Sequence, residues 1–140
     1  MGTTLTAVAM TSDTASIILH AGDSRLYRFR AGRLDQLTQD HTVVADLIRA
    51  DELSEEEAQI HPNHQVLTRA LGVGPDLEMD LAAVPCRTGD RLQLSTDGPF
   101  KTLSPDELNV VLTSNAGQQE SVDTLIATQS TVPRRTTLPS

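Results

Sequence analysis

The 140-residue chain has few aromatic residues, a single cysteine and no long apolar run. Aromatics make up 2% of the sequence and are limited to Tyr27, Phe29 and Phe100, so aliphatic side chains must build the core. The lone Cys86 excludes an internal disulfide and is expected to be an inert, partly buried thiol. No apolar run approaches the roughly 20 residues that a membrane-spanning helix needs. We therefore expect a soluble cytoplasmic protein.

Basic residues are also scarce. Eleven Lys and Arg residues stand against nineteen Asp and Glu residues, which gives a net charge of −8. An acidic surface repels polyanions, so nucleic acid and anionic membranes are disfavoured as partners. The length fits one domain.

The first 37 residues alternate in the manner of β-strands. Strands are predicted over residues 3–10, 15–20, 26–30 and 33–37, with Ala31-Gly32 as a two-residue turn between the last two. Gly22-Asp23-Ser24 separates the second strand from the third. Four short strands in this space predict an antiparallel meander.

Helical spacing then replaces the alternation. A helix is predicted over residues 42–50 with Asp40 as its N-cap, and Ser54 with Glu57 forms a capping box that opens a second, acidic helix. Residues 66–71 predict a further helical turn.

The remainder predicts strands followed by helices. Strand alternation returns over residues 77–84 and 90–95, and Ser104 with Glu107 forms a second capping box, flanked by Leu103 and Leu108 as a hydrophobic staple. Helices are expected from there to about Thr113 and over residues 118–128. Residues 129–140 are polar and aperiodic, which predicts a disordered tail. The order predicts an α+β domain with helices on an antiparallel sheet.

Asp97 is the most informative acidic residue. It directly follows a predicted strand and precedes Gly98, so its carboxylate is suited to hold a hard cation at a sheet edge. A turn or cap carboxylate is the alternative. For Asp23, ligation and an ordinary structural role in a Gly-Asp-Ser turn are about equally plausible.

Other polar residues favour structural roles. His41, His61 and His64 lack a fourth soft ligand at zinc-site spacing, so we interpret them as surface histidines. Arg69 is expected to form a structural hydrogen bond or ion pair, with phosphate contact as the alternative.

Five short motifs occur in order along the chain and together resemble one family, the metal-dependent PPM-type (type 2C) serine/threonine protein phosphatases in their bacterial form. They are Gly2-Thr3-Thr4, Gly22-Asp23-Ser24-Arg25, Leu37-Thr38-Gln39-Asp40-His41, residues 66–72, and Gly89-Asp90 leading to Ser95-Thr96-Asp97-Gly98.

The resemblance implies a fold and a chemistry. The fold is an antiparallel β-sandwich flanked by helices. The chemistry is hydrolysis of phosphoserine or phosphothreonine on proteins by a water that Mn²⁺ or Mg²⁺ activates. The resemblance implies that Asp97 and Asp23 are metal ligands, and that the residues at about 41–66 form the family's flap beside the active site.

The resemblance covers roughly residues 2 to 128, and we expect residues 1–128 to form a partial domain without the family's N-terminal and C-terminal motifs. Since two carboxylates cannot hold a binuclear centre alone, weak or absent activity is expected. The alternatives are a non-enzymatic pseudophosphatase binding module and a gene remnant. The expected partner is a phosphoprotein substrate or another protein, and unpaired sheet edges predict self-association.

Overall fold

The computed structural model describes residues 1–96, 103–113 and 123. Within these residues the chain forms six strands, β1 (Leu5–Ser12), β2 (Ala15–Ala21), β3 (Arg25–Arg30), β4 (Arg33–Gln36), β5 (Asp80–Pro85) and β6 (Arg91–Ser95). It also forms the helices α1 (Val43–Arg49), α2 (Glu55–Ile60) and α3 (Pro105–Thr113). Asp97, the predicted helix at 118–128 except its residue 123, and the predicted tail at 129–140 lie outside the described residues.

The strands form two antiparallel sheets of three strands each. The first sheet has the order β1-β2-β5 and the second has the order β4-β3-β6. The α+β class with antiparallel sheets is therefore confirmed. The predicted meander is wrong, because β2 and β3 belong to different sheets. Between them, Gly22 takes a φ of 115°, and the chain crosses from one sheet to the other instead of reversing in a tight hairpin.

The hairpin of β3 and β4 has the predicted two-residue turn. Ala31 and Gly32 have φ angles of 48° and 80°, and two successive positive values match the turn type that the twist of a tight hairpin favours. Phe29 pairs with Leu34 across this hairpin.

The interior of the molecule is small and partly polar. Ile18 of β2 and Leu26 of β3 are buried, but so are the side chains of Ser16, His20 and Thr38. Cys86 is buried as well, and its thiol donates to the Ser16 hydroxyl at 3.2 Å. The polar side chains must therefore satisfy one another, since an unpaired polar group in this position costs stability.

The opposite side of the first sheet is apolar and open. In register, Ala7, Leu19 and Leu81 form one row across the three strands, and Ala9, Ile17 and Ala83 form the next row. We call these six residues the outer apolar face. Leu81 is 70% exposed, and Ile17 and Leu19 are also classed as exposed.

The second sheet carries α3. Leu103 and Leu108 are buried together, and Leu34 and Val111 pack against them. The predicted capping box is confirmed, because the Ser104 amide donates to Glu107 at 2.7 Å and the Glu107 amide donates to the Ser104 hydroxyl at 3.2 Å. The paired leucines agree with the predicted hydrophobic staple.

Residues 41–79 connect the hairpin to β5, and we call this segment the insert. The predicted capping box of α2 is confirmed, with both hydrogen bonds between Ser54 and Glu57 present. The predicted N-cap of α1 is wrong. Thr42 caps the helix by accepting from the Ala45 amide, while the Asp40 carboxylate pairs with Arg25.

The helical turn predicted over residues 66–71 is also wrong. Thr68 donates its amide to the His41 carbonyl at 2.8 Å, and Leu71 exchanges two backbone hydrogen bonds with Thr3. Because these backbone groups pair with distant segments, they are not available for a local helical turn. The strand expected from residue 77 begins at Asp80.

Among the residues described, no helix combines the length and the apolar character required to cross a membrane.

Candidate functional site

Two of the motifs found in the sequence are bonded to each other in the fold. The His41 amide donates to the Gly22 carbonyl at 2.9 Å, and the Gly22 amide donates to Nδ1 of His41 at 3.1 Å. Four residues further on, the Leu26 amide donates to the Thr38 hydroxyl at 3.0 Å. Residues 37–41, which follow β4, therefore lie along the crossover from β2 to β3, and their hydrogen bonds fix the backbone of that crossover.

Asp23 lies in this crossover and is half-buried. Arg25, two residues later, forms a bidentate ion pair with Asp40, with Nε–Oδ1 and Nη2–Oδ2 distances of 2.9 and 2.7 Å. Burial alone would lower the pKa of Arg25, but the hydrogen bonds and charge of Asp40 raise it. The guanidinium is therefore firmly charged, and this ion pair anchors the side of the turn that follows Asp23.

The second predicted site residue, Asp97, lies outside the described residues, but the strand before it is described. β6 ends at Ser95, two residues before Asp97. Ser95 pairs with Arg25, which is two residues after Asp23, and the same antiparallel register holds from Phe29–Arg91 to this pair.

A cluster of polar side chains, two of them buried histidines, lies next to the Asp23 turn. His41 is 3% exposed, and its Nε2 is 2.9 Å from Oδ2 of Asp80 at the start of β5. Because Nδ1 accepts from Gly22, the ring proton lies on Nε2 and is donated to Asp80. The interpretation of His41 as a surface histidine is therefore wrong. Its partners are a backbone group 19 residues earlier and a carboxylate 39 residues later.

His20 belongs to the same cluster, and sequence reasoning did not single it out. It is 1% exposed, its ring centroid lies 4.7 Å from that of His41, and its Nε2 is 2.9 Å from the Gln39 carbonyl. Burial lowers the pKa of His20. A signal was present in the sequence, because Ser16, Ile18 and His20 alternate along β2 and thus share its inward face.

Arg69 and Asp80 complete the cluster. Nη1 of Arg69 donates to Oδ1 of Asp80 at 2.9 Å, and Glu78 forms a second, longer ion pair with Arg69. The predicted structural ion pair is confirmed. Burial alone would raise the pKa of Asp80, but the hydrogen bond from His41 and the charge of Arg69 lower it. Asp80 is therefore an ionised acceptor for two donors at neutral pH.

The described residues do not form a metal site by themselves. In the parts of the chain that the structure describes, no three His, Cys, Asp or Glu side chains are grouped so that they could hold an ion. Hard divalent cations take about six oxygen ligands, so Asp23 alone is insufficient. His64, in the insert, is exposed, and its Nδ1 is 2.8 Å from the His61 carbonyl.

Fold and site together define a class of protein: an α+β domain of two antiparallel sheets, in which an aspartate-bearing crossover is held in place by a buried histidine and by partly exposed ion pairs. No family profile matches the chain. It is 40% identical over 126 residues to the serine/threonine phosphatase stp of Listeria welshimeri, which covers 90% of the chain and 50% of that protein.

Solved structures agree with this match. A serine/threonine phosphatase from S. agalactiae superposes with a TM-score of 0.87 at 36% identity, over 92% of this chain and 53% of that one. The catalytic domain of the serine/threonine protein phosphatase PstP in complex with two manganese ions gives a TM-score of 0.81 at 34% identity, over 92% and 52% of the two chains. The chain belongs to the PPM-type (type 2C) serine/threonine protein phosphatase family. It spans about half the length of the curated relatives that it matches.

Proposed function

We propose that this chain is part of a metal-dependent protein phosphatase domain that hydrolyses phosphoserine or phosphothreonine on proteins, and that the 140-residue chain alone has weak or no activity. The observation that carries the proposal is the 40% identity to a serine/threonine phosphatase over 90% of the chain. The bonded arrangement of the Gly22–Arg25 and Leu37–His41 motifs supports it, because these are residues on which the resemblance rests.

Asp23 and Asp97 are the metal ligands of the proposal. The β3–β6 register supports their pairing. Ser95 lies opposite Arg25 in two antiparallel strands, Asp23 is two residues before Arg25, and Asp97 is two residues after Ser95. Two carboxylates brought to one sheet edge repel each other, and a cation between them removes that repulsion.

Mn²⁺ or Mg²⁺ is the proposed metal. The similarity to a PstP structure that is in complex with two manganese ions supports a divalent cation. Because no sufficient ligand group exists among the described residues, the centre requires further oxygen ligands beyond Asp23 and Asp97. That requirement is the physical reason for expecting little activity from this chain by itself.

The proposal extends to the surroundings of the site. Residues 1–128 form the partial phosphatase domain, and residues at about 41–66 are its flap, which contacts a phosphoprotein substrate.

A cytoplasmic location is consistent with the free thiol of Cys86. Neither nucleic acid nor membrane is a proposed partner, in keeping with the net charge of −8. Self-association through unpaired sheet edges is proposed as well, and the outer apolar face is a second surface through which it can occur. Since the named relatives are phosphatases, a non-enzymatic binding module is not favoured.

A chimera tests the proposal. The 126 matched residues of this chain would replace the corresponding segment of the Listeria phosphatase, and hydrolysis of a phosphothreonine peptide would be measured with and without Mn²⁺. We expect Mn²⁺-dependent turnover that falls by about 100-fold or more in Asp23→Asn and in Asp97→Asn. Asp13→Asn, at an exposed hairpin turn, is the matched control and should keep the activity.

A folded chimera that is inactive, or one that is equally active in all three variants, would refute the assignment. The unmodified 140-residue chain would be assayed in parallel on p-nitrophenyl phosphate. Strong Mn²⁺-dependent turnover by that chain would contradict the expectation that it needs further ligands.

A further inference from the structure

We infer that His41 is the positioning residue for the turn that carries Asp23. The inference rests on the proposed function for the role of Asp23, but not for the geometry. His41 binds both backbone groups of Gly22, the residue directly before Asp23. Its amide donates to the Gly22 carbonyl, and its Nδ1 accepts the Gly22 amide. The two peptide units on either side of Gly22 are thus each held by one hydrogen bond to His41, which leaves the Gly22 backbone little freedom to rotate.

His41 is itself held in one orientation. Its Nε2 donates to Asp80, and Asp80 is fixed by Arg69 on its other oxygen. The His20 ring covers one side of the imidazole at a centroid distance of 4.7 Å. With one nitrogen donating to a carboxylate, the tautomer is fixed, so Nδ1 remains available as the acceptor for Gly22. In metalloproteins, carboxylates fix the orientation and tautomer of histidine side chains in the same way.

The opposite side of the turn is held by the neighbour of His41. Asp40 forms the bidentate ion pair with Arg25, two residues after Asp23. Adjacent residues of one segment therefore hold the turn before and after Asp23. Contacts within the protein thus hold the backbone on both sides of Asp23.

Steric packing restricts the turn further. Gly22 has a positive φ of 115°, and a Cβ added there would lie 2.4 Å from Cγ2 of Thr4. The Gly22 backbone thus lies close to Thr4, the residue before β1, and has little room to shift toward it. A carboxylate that serves as a ligand must be held to within about 0.5 Å, and these contacts supply that constraint from three directions.

The first test needs no variant. In the ¹⁵N-labelled 140-residue chain, a hydrogen bond from the Gly22 amide to an imidazole nitrogen produces a through-bond coupling between the two ¹⁵N nuclei. We expect this coupling between Gly22 N and Nδ1 of His41, with the ring proton on Nε2. A folded chain without the coupling, or with the proton on Nδ1, would overturn the inference.

The second test uses two matched substitutions that separate the contacts of His41. In His41→Asn the side-chain oxygen takes the place of Nδ1 and accepts from Gly22, whereas His41→Gln keeps a donor near Asp80 and loses that acceptor. We expect hydrogen exchange of the Gly22 amide to accelerate by about 10-fold or more in the Gln variant and by less than about 3-fold in the Asn variant. His64→Gln, at an exposed position, is the control and should leave exchange unchanged.

Equal exchange of Gly22 in the Asn and Gln variants would show that His41 acts only through general packing, and would overturn the inference. In the active chimera, the apparent affinity for Mn²⁺ should fall by about 10- to 100-fold in the Gln variant and be largely retained in the Asn variant. A wild-type chimera without any response to Mn²⁺ would refute the proposed function alone, because the coupling and the exchange rates are measured without metal.

Discussion

At the scale of single residues, the buried histidines account for much of the polar interior. His20 accepts or donates at both ring nitrogens, with Thr6 Oγ1 at 2.9 Å and the Gln39 carbonyl at 2.9 Å. The Thr6 hydroxyl also lies 2.9 Å from the Ser24 carbonyl. In a neutral His20 that donates from Nε2, Nδ1 is an acceptor, so Nδ1 and the Ser24 carbonyl compete for the single proton of the Thr6 hydroxyl.

The depressed pKa of His20 predicts how stability depends on pH. Since folding lowers this pKa below 6.5, the unfolded chain binds the proton more readily than the folded chain. The contribution of neutral His20 is therefore complete above pH 6.5 and is lost as the pH falls through the folded-state pKa. We expect the urea midpoint to decrease as the pH falls below about 6.5. His20→Gln should flatten that decrease, and an unchanged slope would assign it to other groups.

The site residues could be predicted from the sequence to different degrees. Asp23 was found because its motif is contiguous, and Ser54 because a capping box is local. His41 and His20 were misjudged or missed because their burial depends on Asp80, Gln39 and Gly22, which are distant in sequence. A periodic pattern can indicate that a residue faces inward, but it cannot supply the partner that makes a buried imidazole acceptable.

At the scale of elements, local signals were reliable where the backbone bonds locally. Both capping boxes formed as predicted, and the Ala31-Gly32 turn has the expected positive φ values. Residues 66–71 failed because their amides and carbonyls bond to His41 and Thr3 instead. The meander failed for a related reason: strand alternation reports a half-buried strand, but does not report which sheet the strand joins.

Removal of the α2 cap provides a test at this scale. Ser54→Ala deletes the side-chain acceptor of the Glu57 amide, while the backbone amide of residue 54 can still donate to the Glu57 carboxylate. We expect a loss of about 1 kcal/mol in the free energy of unfolding, measured by urea titration. Glu55→Gln, in the same first turn but outside the box, should cost only a few tenths of a kcal/mol. A similar cost in both variants would mean that charge near the helix end, and not the cap, stabilises α2.

At the scale of the whole molecule, the outer apolar face is the feature that most affects behaviour in solution. It presents six aliphatic side chains in two rows, with Leu81 70% exposed. Contiguous apolar surface of this kind tends to associate. The net charge of −8 opposes association at low ionic strength and does so less as salt screens it.

We therefore expect the 140-residue chain to self-associate more strongly as salt is added. Sedimentation velocity across a range of protein concentrations would measure this. Leu81→Lys, at the β5 end of one row, should weaken association by about tenfold, whereas Val73→Lys, at an exposed site outside the outer apolar face, should not. A monomer at all concentrations and salt levels would contradict the self-association proposal, and equal weakening by both variants would place the contact elsewhere.

The insert begins and ends at nearly the same place. Val43 donates its amide to the Val66 carbonyl at 3.0 Å, Thr42 and Leu67 form an isolated β-bridge, and His41 contacts Asp80. When the two ends of a segment are hydrogen-bonded to each other, each doubling of its length adds only about 0.6 kcal/mol to the entropic cost of closing the loop. The segment between residues 43 and 66 can therefore change in length and sequence while the two sheets and the Asp23 turn keep their conformation.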